Sequence, residues 1–239
     1  MNEKQLSREY KANKRNIDRA ICRVLSSGRY VNGREVEKFE ERFAKFIGTK
    51  YCIGVSSGFS ALYLCMSALS VNGGLVDIIN EKHISETNAV LVAGGIPVYN
   101  AEILHTINDT LRAVILTQHP DFTPRYNRED WESWSTTRGI PIIEDACQGF
   151  NLWWGDKKCG AVGLAGCFSF HPLKPLHCYG DGGAITTNDT RLNRALRTYR
   201  NHGRLSQSSD MYLSGGVNMR LDEIQAAVLN VYLTNWEVK

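Results

Sequence analysis

Hydrophobic and polar positions along this chain recur with the periods of both helices and strands. Residues 16–48 carry two helical patterns, with Val36, Phe39, Phe43 and Phe46 at helical spacing in the second, divided by a Ser-Gly turn and an Asn-Gly pair. A short apolar run, "YCIGV", then passes through a turn into the apolar helical run "SALYLCMSALS". The pattern predicts two helices, then a strand, a turn and a third helix.

Further apolar stretches follow at regular intervals. "AVLVAGGIPVY" is one, and "RAVILTQ" and "IPIIEDA" are two more that are rich in β-branched residues and flank the polar, helix-like "NREDWESWSTTRG". Strands that alternate with helices favour an α/β fold whose mainly parallel sheet is sandwiched by helices. Such sheets bind ligands at the carboxyl ends of their strands, so the residues that follow strands are the candidates for chemistry.

Composition narrows the class of protein. The 239 residues are 43% hydrophobic, which is enough for a substantial core, and the net charge of +3 is spread without a basic stripe, which argues against nucleic-acid binding. The first twenty residues form a charged helical pattern with no apolar stretch, so we expect no signal, no membrane contact and a cytoplasmic location. Seven irregularly spaced cysteines fit reduced thiols, and no CxxC or HExxH spacing suggests a metal site.

The first segment that follows a strand is "VSSGFSALYL". It places residues 56–60 where a strand passes into a helix, and the free amides at a helix start can bind an anion, for which phosphate is the natural candidate. An ordinary serine N-cap would explain the same residues. Both interpretations stay open on the local sequence.

Two further segments follow strands. "IPIIEDACQ" ends in Glu144 and Asp145, with Gln148 three residues on, and its acids could serve a ligand or cap the next element. "CFSFHPLKP" places Ser169 and Lys174 after a strand-like run, with the lysine between two prolines. Desolvation there would lower the pKa of the lysine, as covalent catalysis requires, whereas the alternative is a surface lysine in a proline turn.

An amine able to form a Schiff base, an acid for a pyridine nitrogen and a helix start with a serine for a phosphate are the groups that pyridoxal phosphate needs. Five motifs carry a resemblance that agrees with this chemistry: "IIEDACQGF", "CFSFHPLKP", "GDGGAITTND", "YRNHGR" and "VNMRLDEIQAAVL". They resemble the DegT/StrS-type sugar aminotransferases, which are fold type I pyridoxal phosphate enzymes. The resemblance runs from about residue 6 to the end of the chain.

The resemblance implies a role for each matching residue. Lys174 is similar to the catalytic lysine that binds the cofactor covalently and moves protons. Asp145 matches the acid that pairs with the ring nitrogen of the cofactor, and Gln148 matches the glutamine near its phenolic oxygen. Ser169 matches the serine that hydrogen-bonds the phosphate.

Five more cofactor-binding positions come from the same resemblance. The backbone amides near Gly58, Phe59 and Ser60 would bind the phosphate, although Phe59 stands where relatives generally carry a small hydroxyl residue. His83 falls where the family usually has an aromatic residue stacked on the cofactor ring. Asn218 matches an asparagine that reaches the phosphate of the neighbouring subunit, so the resemblance implies a homodimer with shared active sites.

The implied reaction is the transfer of an amino group from glutamate or glutamine to a keto sugar. The sugar would be linked to a nucleotide, in polysaccharide or secondary-metabolite biosynthesis. Residues 1–15 would form an N-terminal helical arm, and residues 16–239 a pyridoxal phosphate-binding large domain that stops before the smaller C-terminal domain of relatives.

Two alternatives stay open. A chain that ends at Lys239 would be a non-catalytic remnant that keeps the cofactor-binding fold, with its final helical pattern exposed as an interaction surface. Some relatives are sugar dehydratases that use the same cofactor, but these typically carry histidine in place of the lysine. Lys174 argues against that reaction, and His171 and His177 are interpreted as ordinary turn residues.

Overall fold

A computed structural model of the chain describes residues 2–99, 110–121, 127–205 and 211–237. The helices of this part are α1 (Glu3–Ser27), α2 (Arg34–Ile47), α3 (Gly58–Ala68), α4 (Ser85–Val92), α5 (Arg128–Arg138), α6 (Thr190–Tyr199) and α7 (Glu223–Glu237). Its strands are β1 (Tyr51–Val55), β2 (Leu75–Ile79), β3 (Ile96–Val98), β4 (Leu111–Thr117), β5 (Ile142–Asp145), β6 (Trp153–Trp154), β7 (Lys157–Lys158), β8 (Ala165–Ser169) and β9 (Gly183–Thr187). None of the helices among these described residues combines the length and apolar character needed to cross a membrane.

Seven of the strands form one sheet in the order β1-β9-β8-β5-β4-β2-β3. The five strands from β8 to β3 are parallel, whereas β9 runs antiparallel to both of its neighbours, β1 and β8. Strand β1 therefore points the same way as β8, and the carboxyl ends of β1, β4, β5 and β8 meet at one edge of the sheet. The predicted α/β fold with a mainly parallel sheet is confirmed.

Successive side chains of the strands point into two separate cores, one on each face of the sheet. In β4, Ala113 and Ile115 pack with residues of α3, α4 and α6. Their neighbours Val114 and Leu116 pack on the other face with residues of α1, α2, α5 and α7. Helices thus cover both faces of the sheet. The edge formed by the carboxyl ends of the strands is left uncovered by these helices, so a ligand-binding site is expected there.

The second of these cores is built around one aromatic side chain. Phe43 of α2 is fully buried, and its ring centroid lies 5.0–6.2 Å from those of Phe39, Phe150, Phe168 and Phe170. Its pairs with Phe168 and Phe170 meet edge to face, which is a favoured geometry for aromatic contacts. The helical spacing of phenylalanines in the sequence therefore marks the face of α2 that packs on the sheet.

The predicted Ser-Gly turn between the first two helices is confirmed. Helix α1 ends at Ser27 and is capped by Gly28, whose φ of 66° is the left-handed conformation that favours glycine. The same helix runs without a break across residues 15 and 16, and the predicted domain division there stays a prediction. The expected exposure of the final helix is wrong, because α7 packs against α1 and α2 with Val228 and Tyr232 buried.

A buried carboxylate ties β1 to the helices beside it. Glu40 of α2 accepts a hydrogen bond from the amide of Gly54 (2.8 Å) and pairs with Arg197 of α6 (2.7 Å) and with Arg200, which follows that helix (2.6 Å). Arg200 also donates to the carbonyl oxygen of Gly54. These contacts anchor the end of β1 immediately before residues 56–60.

Candidate active site

A cavity of about 490 Å³ opens at the sheet edge where β1, β4, β5 and β8 end. Its size is typical of small-molecule sites. Seven of the nine predicted site residues line it: Gly58, Phe59, His83, Asp145, Gln148, Ser169 and Lys174. The structure therefore brings together residues that lie more than a hundred positions apart in the sequence.

The start of helix α3 contributes backbone amides to the cavity. The Ser57 side chain caps the helix by accepting the amide of Ser60 (3.0 Å), and the Ser60 hydroxyl bonds those of Ser56 (2.7 Å) and Ser57 (2.9 Å). Ser57 is thus the serine N-cap that the sequence also allowed, and Ser60, whose amide it accepts, is buried and does not line the cavity. Within the described part of the chain, the amides of Gly58 and Phe59 donate no hydrogen bond and remain available for an anion.

Gly58 lets three segments approach one another closely. A Cβ atom at this position would lie 2.8 Å from the sulfur of Cys147 and 2.9 Å from Cβ of Ser169. Any larger residue would push the helix start away from the loops that follow β5 and β8. Ser169 is half-buried, and its hydroxyl accepts only a long hydrogen bond from the amide of His171 (3.4 Å).

The two acids at the end of β5 have different environments. Glu144 is fully buried and accepts amides of the loop after β7, those of Gly160, Val162 and Gly163, each at 2.8 Å. Burial raises its pKa, and it acts as a structural clamp outside the cavity. Asp145 lines the cavity floor and accepts the amide of Cys147 (2.9 Å) in a turn that no helix follows. The capping interpretation therefore fails for the next helix, and Asp145, unlike Glu144, lines the cavity and is available to a ligand.

Lys174 is held by its backbone in a turn between the two prolines. Its amide donates to the carbonyl oxygen of His171 (2.8 Å), and its own carbonyl accepts a hydrogen bond from Nδ1 of His177 (3.2 Å). His177 is buried, which lowers its pKa and favours the neutral ring. The two histidines are indeed turn residues, and together they fasten the turn that presents the half-buried Lys174 to the cavity.

The glycine-rich segment after Lys174 passes directly behind the helix start. Gly180 has a φ of 109°, and Gly183, the first residue of β9, lies opposite both Val55 of β1 and Ser169 of β8. A Cβ atom at Gly183 would lie 2.4 Å from the carbonyl oxygen of Ser57. The glycine thus allows the antiparallel strand to enter the sheet between the two site-bearing strands.

The remaining predicted residues lie at the margin of the cavity. His83 is exposed, with Nδ1 2.8 Å from the hydroxyl of Ser85, and Gln148 is exposed as well. Asn218 is exposed and pairs through its backbone with Asn201, and it does not line the cavity of this chain. Its predicted reach toward a neighbouring subunit stays a prediction.

Sequence reasoning missed two acids that line the cavity, Glu86 and Asp181. Glu86 of α4 is fully buried, lines the cavity and accepts hydrogen bonds from the Thr117 hydroxyl and from the amides of Lys82 (3.1 Å) and His83 (3.3 Å). Burial, followed by the charge of Asp145, raises the pKa of Glu86 to about 8. No local pattern distinguishes this acid from an exposed one in the first turn of a short helix.

The fold and the cavity together define an α/β protein with a lysine, an acid and a helix start with free amides at one sheet edge. Residues 11–238 match the model of the DegT/DnrJ/EryC1/StrS aminotransferase family, and the chain belongs to this family.

Three similar proteins illustrate the match. The chain is 38% identical over 224 residues to the UDP-2-acetamido-2-deoxy-3-oxo-D-glucuronate aminotransferase of Pseudomonas aeruginosa, an alignment that spans 89% of this chain and 62% of that protein. It is 34% identical over 244 residues to the dTDP-3-amino-3,4,6-trideoxy-alpha-D-glucose transaminase of Streptomyces venezuelae, spanning 96% and 63%. The crystal structure of S. venezuelae DesV with a ketimine intermediate superposes with a TM-score of 0.84 at 32% identity, over 98% of this chain and 65% of DesV. The chain thus spans less than two thirds of the length of these relatives.

Proposed function

We propose that the cavity binds pyridoxal 5'-phosphate and that the chain provides the cofactor-binding part of a nucleotide-sugar aminotransferase. The observation that carries the proposal is the convergence of the Lys174 side chain, the Asp145 carboxyl and the amides of Gly58 and Phe59 on one cavity. Each group complements one part of the cofactor. The relatives named above act on UDP- and dTDP-linked sugars, which supports a keto sugar of that class as the amino acceptor.

Different residues of the cavity would contact different parts of the cofactor. The phosphate fits the start of α3, where the amides of Gly58 and Phe59 and the positive end of the helix dipole face the cavity beside Ser169. The carboxylate of Asp145 would hold the protonated ring nitrogen, and Gln148 and His83 stand at the margin, where they would contact the ring. The cavity therefore complements an anion at one end and a cation at its floor.

Lys174 is the proposed catalytic residue. Pyridoxal phosphate supplies a carbonyl group that carries the amino group from donor to acceptor and a ring that withdraws electrons. Nζ of Lys174 would bind the cofactor covalently and then accept and return protons, which requires that the turn hold it over the cavity. The hydrogen bonds from its backbone to His171 and His177 provide that rigidity.

The remaining parts of the proposal follow from family membership. Glutamate or glutamine would donate the amino group, a homodimer would complete each site through Asn218, and the product would enter polysaccharide or secondary-metabolite biosynthesis in the cytoplasm. Asn218 is exposed at the surface, which is compatible with a contact to a second subunit.

The test is an absorbance spectrum of the purified chain with added pyridoxal phosphate, before and after borohydride. We expect a visible band that borohydride fixes to Lys174, as shown by peptide mass spectrometry, and that Lys174→Ala abolishes. Lys82→Ala is the matched control, because Lys82 also lines the cavity but lies outside the proposed chemistry. A band that Lys174→Ala retains would refute the proposed site.

The same sample tests turnover. Addition of glutamate or glutamine should bleach the band if the chain performs the first half of the reaction. A band that neither donor changes would support the remnant alternative, in which the cofactor binds without transfer.

A further inference from the structure

Two carboxyl groups meet at the floor of the cavity. Glu86 is fully buried on α4, and Asp145 is 5% exposed at the end of β5. Thr117 of β4 lies opposite Asp145 in the register of the sheet and donates its hydroxyl to Oε1 of Glu86. Thr117 thus contacts Glu86 and neighbours Asp145, and both carboxyl groups line the same cavity. A hydrogen bond between two carboxyl groups needs a proton on one of them.

Within the described residues, neither carboxyl group forms an ion pair. The other titratable groups that line the same cavity are Lys82, His83, His171, Lys174, Asp181 and the Cys147 thiol, whose pKa burial raises. Two adjacent buried carboxylates repel each other strongly, so one of the two stays protonated at neutral pH.

Burial indicates which carboxyl group carries the proton, because Glu86 is fully buried whereas Asp145 is 5% exposed. Oε2 of Glu86 accepts the amides of Lys82 and His83, whereas Oε1 accepts one hydroxyl, that of Thr117, and has more room for a proton. The bonds from Thr117 and His83 lower the pKa of Glu86, but burial outweighs them. Burial and the charge of Asp145 together raise the pKa of Glu86 to about 8, which agrees with this assignment.

We infer that Glu86 is a positioning residue for Asp145: as the neutral acid it donates a hydrogen bond from Oε1 to the Asp145 carboxylate, which holds that group ionised and oriented at the cavity floor. The cavity floor then presents one negative charge, which matches the single positive charge of a protonated ring nitrogen. This consequence rests on the proposed cofactor site, whereas the shared proton is a property of the unliganded chain.

The first test needs no cofactor. Infrared difference spectroscopy of the full chain detects the C=O stretch of a protonated carboxyl group, and subtraction of Glu86→Gln assigns it to Glu86. We expect a band at neutral pH that titrates away near pH 8, and a lower midpoint in Asp145→Asn because the repelling charge is gone. Glu41→Gln, an exposed acid on α2, should leave the band unchanged. Absence of the band, or an unmoved midpoint in Asp145→Asn, would overturn the inference.

The second test measures pyridoxal phosphate binding by titration of the visible band. Glu86→Gln keeps a hydrogen-bond donor and should bind within about three-fold of the wild type at neutral pH, whereas Glu86→Leu should bind at least about ten-fold more weakly. At a pH above the pKa of Glu86, the affinities of the wild type and of Glu86→Gln for pyridoxal phosphate should diverge. The reason is that Glu86 then adds a second negative charge to the cavity floor of the wild type only. Equal binding by the Gln and Leu variants would count against the positioning role.

The two tests separate the two proposals. If the wild type does not bind pyridoxal phosphate while the infrared titration behaves as expected, the proposed function fails and the shared proton stands. If Glu86→Leu does not fold, which circular dichroism would show, Glu86→Gln and Asp145→Asn still decide the inference through the infrared midpoint.

Discussion

The buried carboxylate of Glu40 offers the sharpest test of how the fold supports the site. Glu40→Ala removes the partner of two guanidinium groups and of the Gly54 amide in one step. The Arg200 side chain is only 10% exposed. In the variant it would still donate a hydrogen bond to the carbonyl oxygen of Gly54, but it would lose the carboxylate that neutralises its charge. Loss of one partner from a buried ion pair typically lowers the free energy of unfolding by about 3–5 kcal/mol. The Arg197 side chain is 38% exposed, so water can replace the lost contact there. We therefore expect the free energy of unfolding to fall by about 3 kcal/mol, the low end of that range.

Urea unfolding followed by circular dichroism measures this change. Glu41→Ala is the matched control, because the adjacent acid is exposed and should change the free energy of unfolding by no more than about 0.5 kcal/mol. Glu40→Gln keeps an acceptor for the Gly54 amide but removes the charge, and it should fall between the two. If Glu40→Ala unfolds within about 1 kcal/mol of the control, the arginines find other partners and the assigned role is refuted.

Three further changes test other parts of the structure. Gly58→Ala should weaken pyridoxal phosphate binding by at least about ten-fold in a spectroscopic titration, because its Cβ would meet Cys147 and Ser169 below 3.0 Å; unchanged binding would contradict the close approach. His177 has a pKa lowered by burial, so the unfolded chain binds more protons, and the free energy of unfolding should fall as the pH drops below about 6.5; His177→Gln should flatten this dependence in urea titrations. Phe43→Ala should lower the free energy of unfolding by about 3–5 kcal/mol in urea, and a loss under 1 kcal/mol would mean that its ring cluster repacks.

Much of the site follows from local sequence. Asp145 and Ser169 are the last residues of β5 and β8, and Lys174 follows β8 by five positions. A parallel sheet brings the ends of its strands to one edge, so the meeting of these residues could be predicted. The hydrogen bonds of the Ser60 hydroxyl to Ser56 and Ser57 could not be predicted in this way. A serine hydroxyl near a helix start can bind either a ligand or its neighbours, and the local sequence pattern is the same in both cases.

Two other features depend on tertiary structure. The direction of β9 is absent from its apolar pattern, since parallel and antiparallel strands bury alternate residues alike. Glu86 lies on a short helix whose sequence does not specify that its acid turns inward, and its partner Thr117 is 31 residues away. Burial of such a group becomes visible only when the packing of α4 on the sheet is known.

The position of β9 in the sheet affects the order in which the strands can pair during synthesis. Strand β1 lies at the sheet edge and its neighbour is β9, the last strand in the chain order of that sheet. Synthesis proceeds from the amino end, so β1 leaves the ribosome long before residues 183–187 exist to pair with it. Until then the nascent chain exposes an open strand edge, and the helix start at Gly58 has no fixed position relative to Lys174. An open edge can pair with another chain, so it must be protected from aggregation during translation, before β9 covers it.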